Sequence, residues 1–242
     1  MCPAVSRLSD KAIPARERLI FPLDVPSNED AMALATTLGD AVWFYKLGLE
    51  ILMGGRYYEL IDWLVARGKN IMADIKFFDV PETVRSAVRQ LRGHPIAFAT
   101  VHGNDAMLQA AAQEKGDIRI LAVTVLTSLD QNDLNDLGFL CEVEKLVLSR
   151  ARRALAVGCD GVVCSGLEAE ALREGLGERF LIVSPGIRPV ANVDDQKRTV
   201  DVNTASSNGA DYIVVGRPIR NAADPREAAQ DIQRQIAILF EA

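Results

Sequence analysis

The sequence predicts an α/β protein, a single (β/α)8 (TIM) barrel over residues 1–242 with 1–17 as an N-terminal extension. Three observations carry that expectation. Short β-rich runs alternate with amphipathic helical stretches, the alternation repeats eight times, and 242 residues match the roughly 250 that one such barrel takes. Alternation of this kind implies parallel strands joined by crossover helices. Eight repeats in this length favour closure over the competing arrangement, an open doubly wound sheet. No GxGxxG follows the first strand, so the dinucleotide-binding form of that open sheet lacks its fingerprint.

Taken in order, the apolar run 19–23 is the first strand, and the amphipathic pattern 28–38 returns the chain. The second unit pairs a strand at 41–47 with a helix at 56–67. The third pairs 70–75 with 81–92, whose helix opens at Pro81, a residue suited to a first turn. Strands at 96–101 and 119–125 precede helices at 105–114 and 141–157; 161–163 precedes 168–174; and 180–183 and 212–215 complete the eight. A helix at 225–239 closes the chain. Two connections are long, 126–140 and 185–201, and loops of that length are often functional. The second carries Pro185-Gly186-Ile187-Arg188-Pro189 and then Asp194-Asp195-Gln196-Lys197-Arg198, which reads either as a closing lid or as a solvated surface loop.

Composition narrows the function. Nearly half the residues are apolar (49%) and a quarter charged (25%), as in a globular protein with a sizeable core. No apolar run approaches the roughly 20 residues of a membrane helix, and the N-terminus has no secretory apolar block, so a cytoplasmic location is expected. A net charge of −6 argues against nucleic acid as a partner. It leaves room for an anionic small substrate held by locally concentrated positive charge. Cys2, Cys141, Cys159 and Cys164 show no CxxC spacing and read as reduced thiols. With no HxH or HExxH, no metal site is expected. His94 lies in a turn and reads as a solvated loop residue, whereas His102 at a strand end fits either acid–base chemistry or a structural hydrogen bond.

In barrels of this class the reacting groups sit at the C-terminal ends of the strands. The polar residues there are Asp24, Lys46, Asp74 with Lys76, His102, Thr127 with Ser128, Arg188, and Gly216 with Arg217. Asp74 and Lys76 are two apart, so a regular strand would aim both into the barrel, where their charges must pair. Asp79 lies beyond the turn and can face the same mouth or a neighbouring subunit. A DxKxxD pattern arises by chance in a chain this long about one time in twenty, so its position at the strand end is what adds weight. The competing explanation is a buried ion-pair network without chemistry. Gly216 permits close backbone approach, and Arg217 fits the phosphate site that such barrels build after strands seven and eight. A surface arginine paired with a helix carboxylate would read the same way.

These residues fall within longer motifs: Leu23-Asp24-Val25, Tyr45-Lys46-Leu47-Gly48, Asp74-Ile75-Lys76-Phe77-Phe78-Asp79-Val80-Pro81-Glu82-Thr83-Val84, Val125-Leu126-Thr127-Ser128, Ser184-Pro185-Gly186-Ile187-Arg188 and Val215-Gly216-Arg217-Pro218-Ile219. In these motifs the chain resembles the orotidine 5′-phosphate decarboxylase family over essentially its whole length. Phe77-Phe78 is bulkier than in many relatives, and Gly103 follows His102 where others vary. The resemblance implies a cofactor-free decarboxylation of orotidine 5′-monophosphate to uridine 5′-monophosphate. Lys76 would protonate C6 as carbon dioxide leaves, with Asp74 beside the departing carboxylate. Lys46 and the Asp79 lent by a neighbouring subunit would complete an alternating charged array, which implies a homodimer.

Asp24 and Lys46 then resemble the contacts to the ribose hydroxyls, Thr83 one to the partner's ribose, and Thr127 or Ser128 the contact to the pyrimidine. Gln196, Gly216 and Arg217 resemble the phosphate grip, and Arg188 joins the substrate contacts. Two rivals remain at this point: a magnesium-dependent barrel decarboxylase acting on a keto-sugar phosphate, and a barrel that binds nucleotide without catalysis. The motif's Val80-Pro81-Glu82-Thr83 continuation and Gln196 favour the nucleotide enzyme.

Overall fold

A computed structural model describes residues 7–188 and 198–241. Eight strands form a closed parallel barrel in sequence order: β1 Leu19–Pro22, β2 Phe44–Leu47, β3 Asn70–Phe77, β4 Phe98–Val101, β5 Arg119–Val123, β6 Gly161–Val163, β7 Leu181–Ser184 and β8 Tyr212–Val214, with β8 pairing back onto β1. The expectation of a closed barrel over an open sheet is met. Around the strands lie α1 Asn28–Leu38, α2 Leu49–Met53, α3 Tyr57–Val65, α4 Pro81–Leu91, α5 Asp105–Glu114, α6 Gln131–Asp136, α7 Val143–Ala156, α8 Ala169–Leu176, α9 Val202–Ser207, α10 Arg217–Arg220 and α11 Pro225–Phe240. The second strand begins at Phe44 rather than residue 41, because Gly39 ends α1 at φ 55° and residues 39–41 form a 3₁₀ turn. The connection expected at 126–140 contains α6, opened by a capping box between Asp130 and Asp133. Among the described residues no helix is long and apolar enough to cross a membrane.

Two apolar layers hold the fold. One lies between strands and helices and includes Leu47, Leu60, Val88, Ile120 and Ile232. The other fills the barrel with Ile20, Phe44, Met72, Phe98, Leu121, Leu181, Val183, Tyr212 and Val214. Phe44, Phe98 and Tyr212 meet at ring centroids 4.9 to 5.7 Å apart. This plug matters for function because strand side chains alternate with a period of two. Residues two positions farther along, Lys46 above Phe44 and Asp74 above Met72, point inward one layer higher, toward the C-terminal mouth.

The opposite end is tied by a buried ion-pair network. The Arg173 guanidinium on α8 has no exposed surface and donates to Asp211 Oδ2 at 2.8 Å and to the carbonyls of Phe180 and Gly209 at 2.9 Å. Asp211 also accepts from Ser9 Oγ at 2.5 Å, Lys11 Nζ at 3.0 Å and Ile182 N at 2.8 Å, so the segment before β1 is joined to β7 and β8. Removing Arg173 leaves Lys11, among the described residues, as the one remaining cation on the buried Asp211 and takes from the carbonyls of Phe180 and Gly209 their guanidinium donor. Arg173→Ala is therefore expected to lower the unfolding free energy by about 3–5 kcal/mol, measured by urea denaturation. A loss below about 1 kcal/mol, the scale of an exposed pair, would contradict this account.

Candidate active site

The strand C-termini enclose a cavity of about 420 Å³. Asp24, Lys46, Asp74, Lys76, Thr127, Ser128, Arg188, Gly216 and Arg217, all expected from the sequence, line it. At its floor four charges form a chain of alternating sign. Lys46 Nζ lies 3.1 Å from Asp24 Oδ1 and 3.1 Å from Asp74 Oδ2, and Lys76 Nζ lies 2.9 Å from the same Asp74 oxygen. Thr100 Oγ1 donates to the other oxygen, Asp74 Oδ1, at 2.9 Å. Asp74 thus bonds through both oxygens at 6% exposure, while Lys76 keeps 35% of its side chain open to the cavity.

Burial alone would raise the Asp74 pKa. The charges of Lys46 and Lys76, with hydrogen bonds from Lys76 and Thr100, outweigh it and hold the carboxyl below its ordinary value. For Lys46 burial pulls downward, but Asp74 and Asp24 prevail and hold the ammonium above its ordinary range. Both groups are therefore ionised at neutral pH. The array is a preorganised field rather than a set of neutral hydrogen bonds.

The simple pleat expected for Asp74 and Lys76 gives way to a bulge. Pairing between β3 and β4 passes from Ala73 opposite Ala99 directly to Phe77 opposite Val101. Lys76 takes a left-handed backbone, φ 53°, unusual for a residue with a side chain. Both side chains still reach the cavity, but bulge geometry aims them. After the bulge the ladder resumes, with His102 N donating to Phe77 O at 3.0 Å.

Arginines line the cavity as well. Arg217 follows Gly216, where a Cβ would come within 2.8 Å of Pro22 Cγ, so the end of β8 packs against β1 only with glycine. Arg188, 8% exposed, donates to Ile187 O at 3.0 Å. Two further arginines were not singled out from the sequence for this role. Arg220 lines the cavity and bonds the backbone carbonyl of Asp24. Arg198 pairs with the buried Glu168 and donates to the carbonyls of Val125 and Leu126 at 3.1 and 3.0 Å, fixing the backbone that leads to Thr127 and Ser128.

Asp79 and Thr83 are not brought into this cavity. Asp79 is exposed and accepts from Val80 N at 2.7 Å; Thr83 is exposed on α4. Gln196 lies outside the described residues, as does most of the connection read as a lid. His102 stands edge-on to Phe78 at 5.6 Å beside a neighbouring cavity, and burial, then Arg150 and Lys76, lower its pKa. His94 departs from the solvated-loop expectation: its ring stacks on Tyr58 at 4.0 Å. Cys141, Cys159 and Cys164 are free thiols, and burial foremost pushes Cys159 up to about 12. Among the described residues no group of three His, Cys, Asp or Glu side chains could hold a metal ion.

Residues 17–232 match the model of the Orotidine 5′-phosphate decarboxylase / HUMPS family. The orotidine 5′-phosphate decarboxylase of Methylococcus capsulatus is 62% identical over 237 residues, covering 97% of this chain and 98% of the relative. That of Xanthomonas euvesicatoria is 52% identical over 225 residues, covering 92% and 93%. The crystal structure of orotidine 5′-phosphate decarboxylase from Lactobacillus acidophilus aligns with a TM-score of 0.80 at 34% identity, over 91% of this chain and 99% of that one.

Proposed function

The chain belongs to the orotidine 5′-phosphate decarboxylase family, and from that premise we propose that it is a cytoplasmic carboxy-lyase converting orotidine 5′-monophosphate to uridine 5′-monophosphate in pyrimidine synthesis. The observation that carries the reading to this site is the alternating chain Asp24, Lys46, Asp74, Lys76 at the barrel mouth. Breaking the bond between C6 and the carboxyl group leaves an electron pair on a ring carbon that has no electron sink. A fixed field with an adjacent ammonium meets that need, because its dipoles are oriented before the charge develops. Lys76, at the open end of the chain, is the group for both tasks. It faces the developing carbanion and delivers its proton to C6, and solvent reprotonates the amine after product leaves. Asp74 lies beside the departing carboxylate, where repulsion in the ground state is relieved as carbon dioxide departs.

Arg217, Gly216 and Gln196 grip the phosphate in this reading, Asp24 and Lys46 hold the ribose hydroxyls, Thr127 or Ser128 the pyrimidine, and Arg188 is a further substrate contact. Phosphate binding far from C6 contributes free energy that can be used to order the site. Asp79 and Thr83 act in the active site of a second copy. Exposed Phe78 and Val80, at 67% and 61%, flank Asp79 and are suited to burial in such a dimer.

The decisive assay follows orotidine 5′-monophosphate absorbance with enzyme dialysed against chelator. Full turnover to uridine 5′-monophosphate is expected. Product binding without turnover would reduce the protein to a nucleotide-binding barrel. Activity lost to chelator and restored by magnesium would overturn the cofactor-free mechanism.

A further inference from the structure

The bulge in β3 sets three residues, Asp74, Ile75 and Lys76, against Thr100 alone, because the paired positions on either side are Ala73 with Ala99 and Phe77 with Val101. Thr100 is fully buried and does not line the cavity. Its hydroxyl accepts the backbone N–H of Lys76 at 3.0 Å and donates to Asp74 Oδ1 at 2.9 Å. One oxygen therefore joins the backbone of one array member to the carboxylate of the other. We infer that Thr100 is a positioning residue, setting Asp74 and Lys76 in register for the decarboxylation proposed above.

The left-handed backbone at Lys76 is strained for a residue with a side chain and persists only where surrounding contacts over-determine it. The Thr100 bond to that residue's N–H is one such contact. Asp74 Oδ2 is shared by two ammoniums, which can pull the carboxylate toward either; a donor on Oδ1 fixes its rotation. A hydroxyl carries one proton, and because this one accepts from an N–H, its own proton is directed at the carboxylate. Valine has the same shape and offers neither bond.

The test compares Thr100→Val with Thr100→Ser. Small displacements of reacting groups cost up to about 10²-fold in rate. Thr100→Val is expected to lower kcat by roughly 10- to 100-fold while the Kd for uridine 5′-monophosphate stays within about threefold, since the phosphate and ribose contacts are elsewhere. Thr100→Ser is expected to restore kcat to within about threefold of wild type. A valine variant with unchanged kcat overturns the inference, as does a serine variant no better than valine, which would make the methyl group the requirement. A valine chain that does not fold overturns it too, because the hydroxyl would then serve folding. The inference rests on the decarboxylase reading, and wild type is assayed first: absence of turnover there defeats that reading, whereas the outcomes above defeat only the role of Thr100.

Discussion

Lys76→Ala is expected to lower kcat for orotidine 5′-monophosphate by roughly 10⁴- to 10⁷-fold. The range follows from the two roles assigned to one side chain. Proton delivery by a placed acid contributes about 10²–10⁴, and a preorganised charge at the developing anion about 10²–10³. The fold should tolerate the change. Asp74 keeps Lys46 at 3.1 Å and the Thr100 hydroxyl at 2.9 Å, so no buried carboxylate is left without partners. A thermal melt near wild type and retained binding of uridine 5′-monophosphate would show that the site still assembles. A stable variant keeping more than about a tenth of wild-type kcat would remove Lys76 from the chemistry, because no general acid of that weight is dispensable.

The strand-end residues were legible because barrel topology places them. Once eight strands alternate with helices, Asp24, Lys46, Asp74 and Gly216 fall at the mouth. What the sequence hid has physical causes. The bulge in β3 could not be read from a period of two, since its evidence is a register jump and a left-handed Lys76, both products of pairing with β4. Thr100 is the one polar residue of the strand Phe98–Val101 and lies before its C-terminal end, outside the strand-end positions that barrel topology marks. Its signal was available: it follows the inward Phe98 by two, so it had to face the barrel. The helices α2, α6, α9 and α10 have five, six, six and four residues, too few for helical periodicity to register. The role of Arg198 depends on the carbonyls of Val125 and Leu126, distant in sequence and brought together only by closure of the barrel.

Asp79 gives the sharpest test of oligomeric state. Its neighbour Lys76 lies in the cavity, yet Asp79 points outward, caps Val80 N at 2.7 Å and sits between two exposed apolar side chains. In the proposed dimer each Asp79 extends the charged chain of the other protomer, so Asp79→Ala should lower kcat by roughly 10²- to 10³-fold, the cost of one preorganised group. Mixing then separates the two possible addresses of that carboxylate. Asp79→Ala chains and Lys76→Ala chains, denatured together in equal amounts and refolded, form mixed dimers for about half of the population. Each mixed dimer holds one site with an intact Lys76 and the partner's intact Asp79, and one site lacking both. About a quarter of wild-type activity per chain should therefore appear from two nearly inactive parents. If Asp79 served its own protomer, every site in the mixture would lack one group or the other. Activity would then stay at the level of the parents, and the shared site would be wrong.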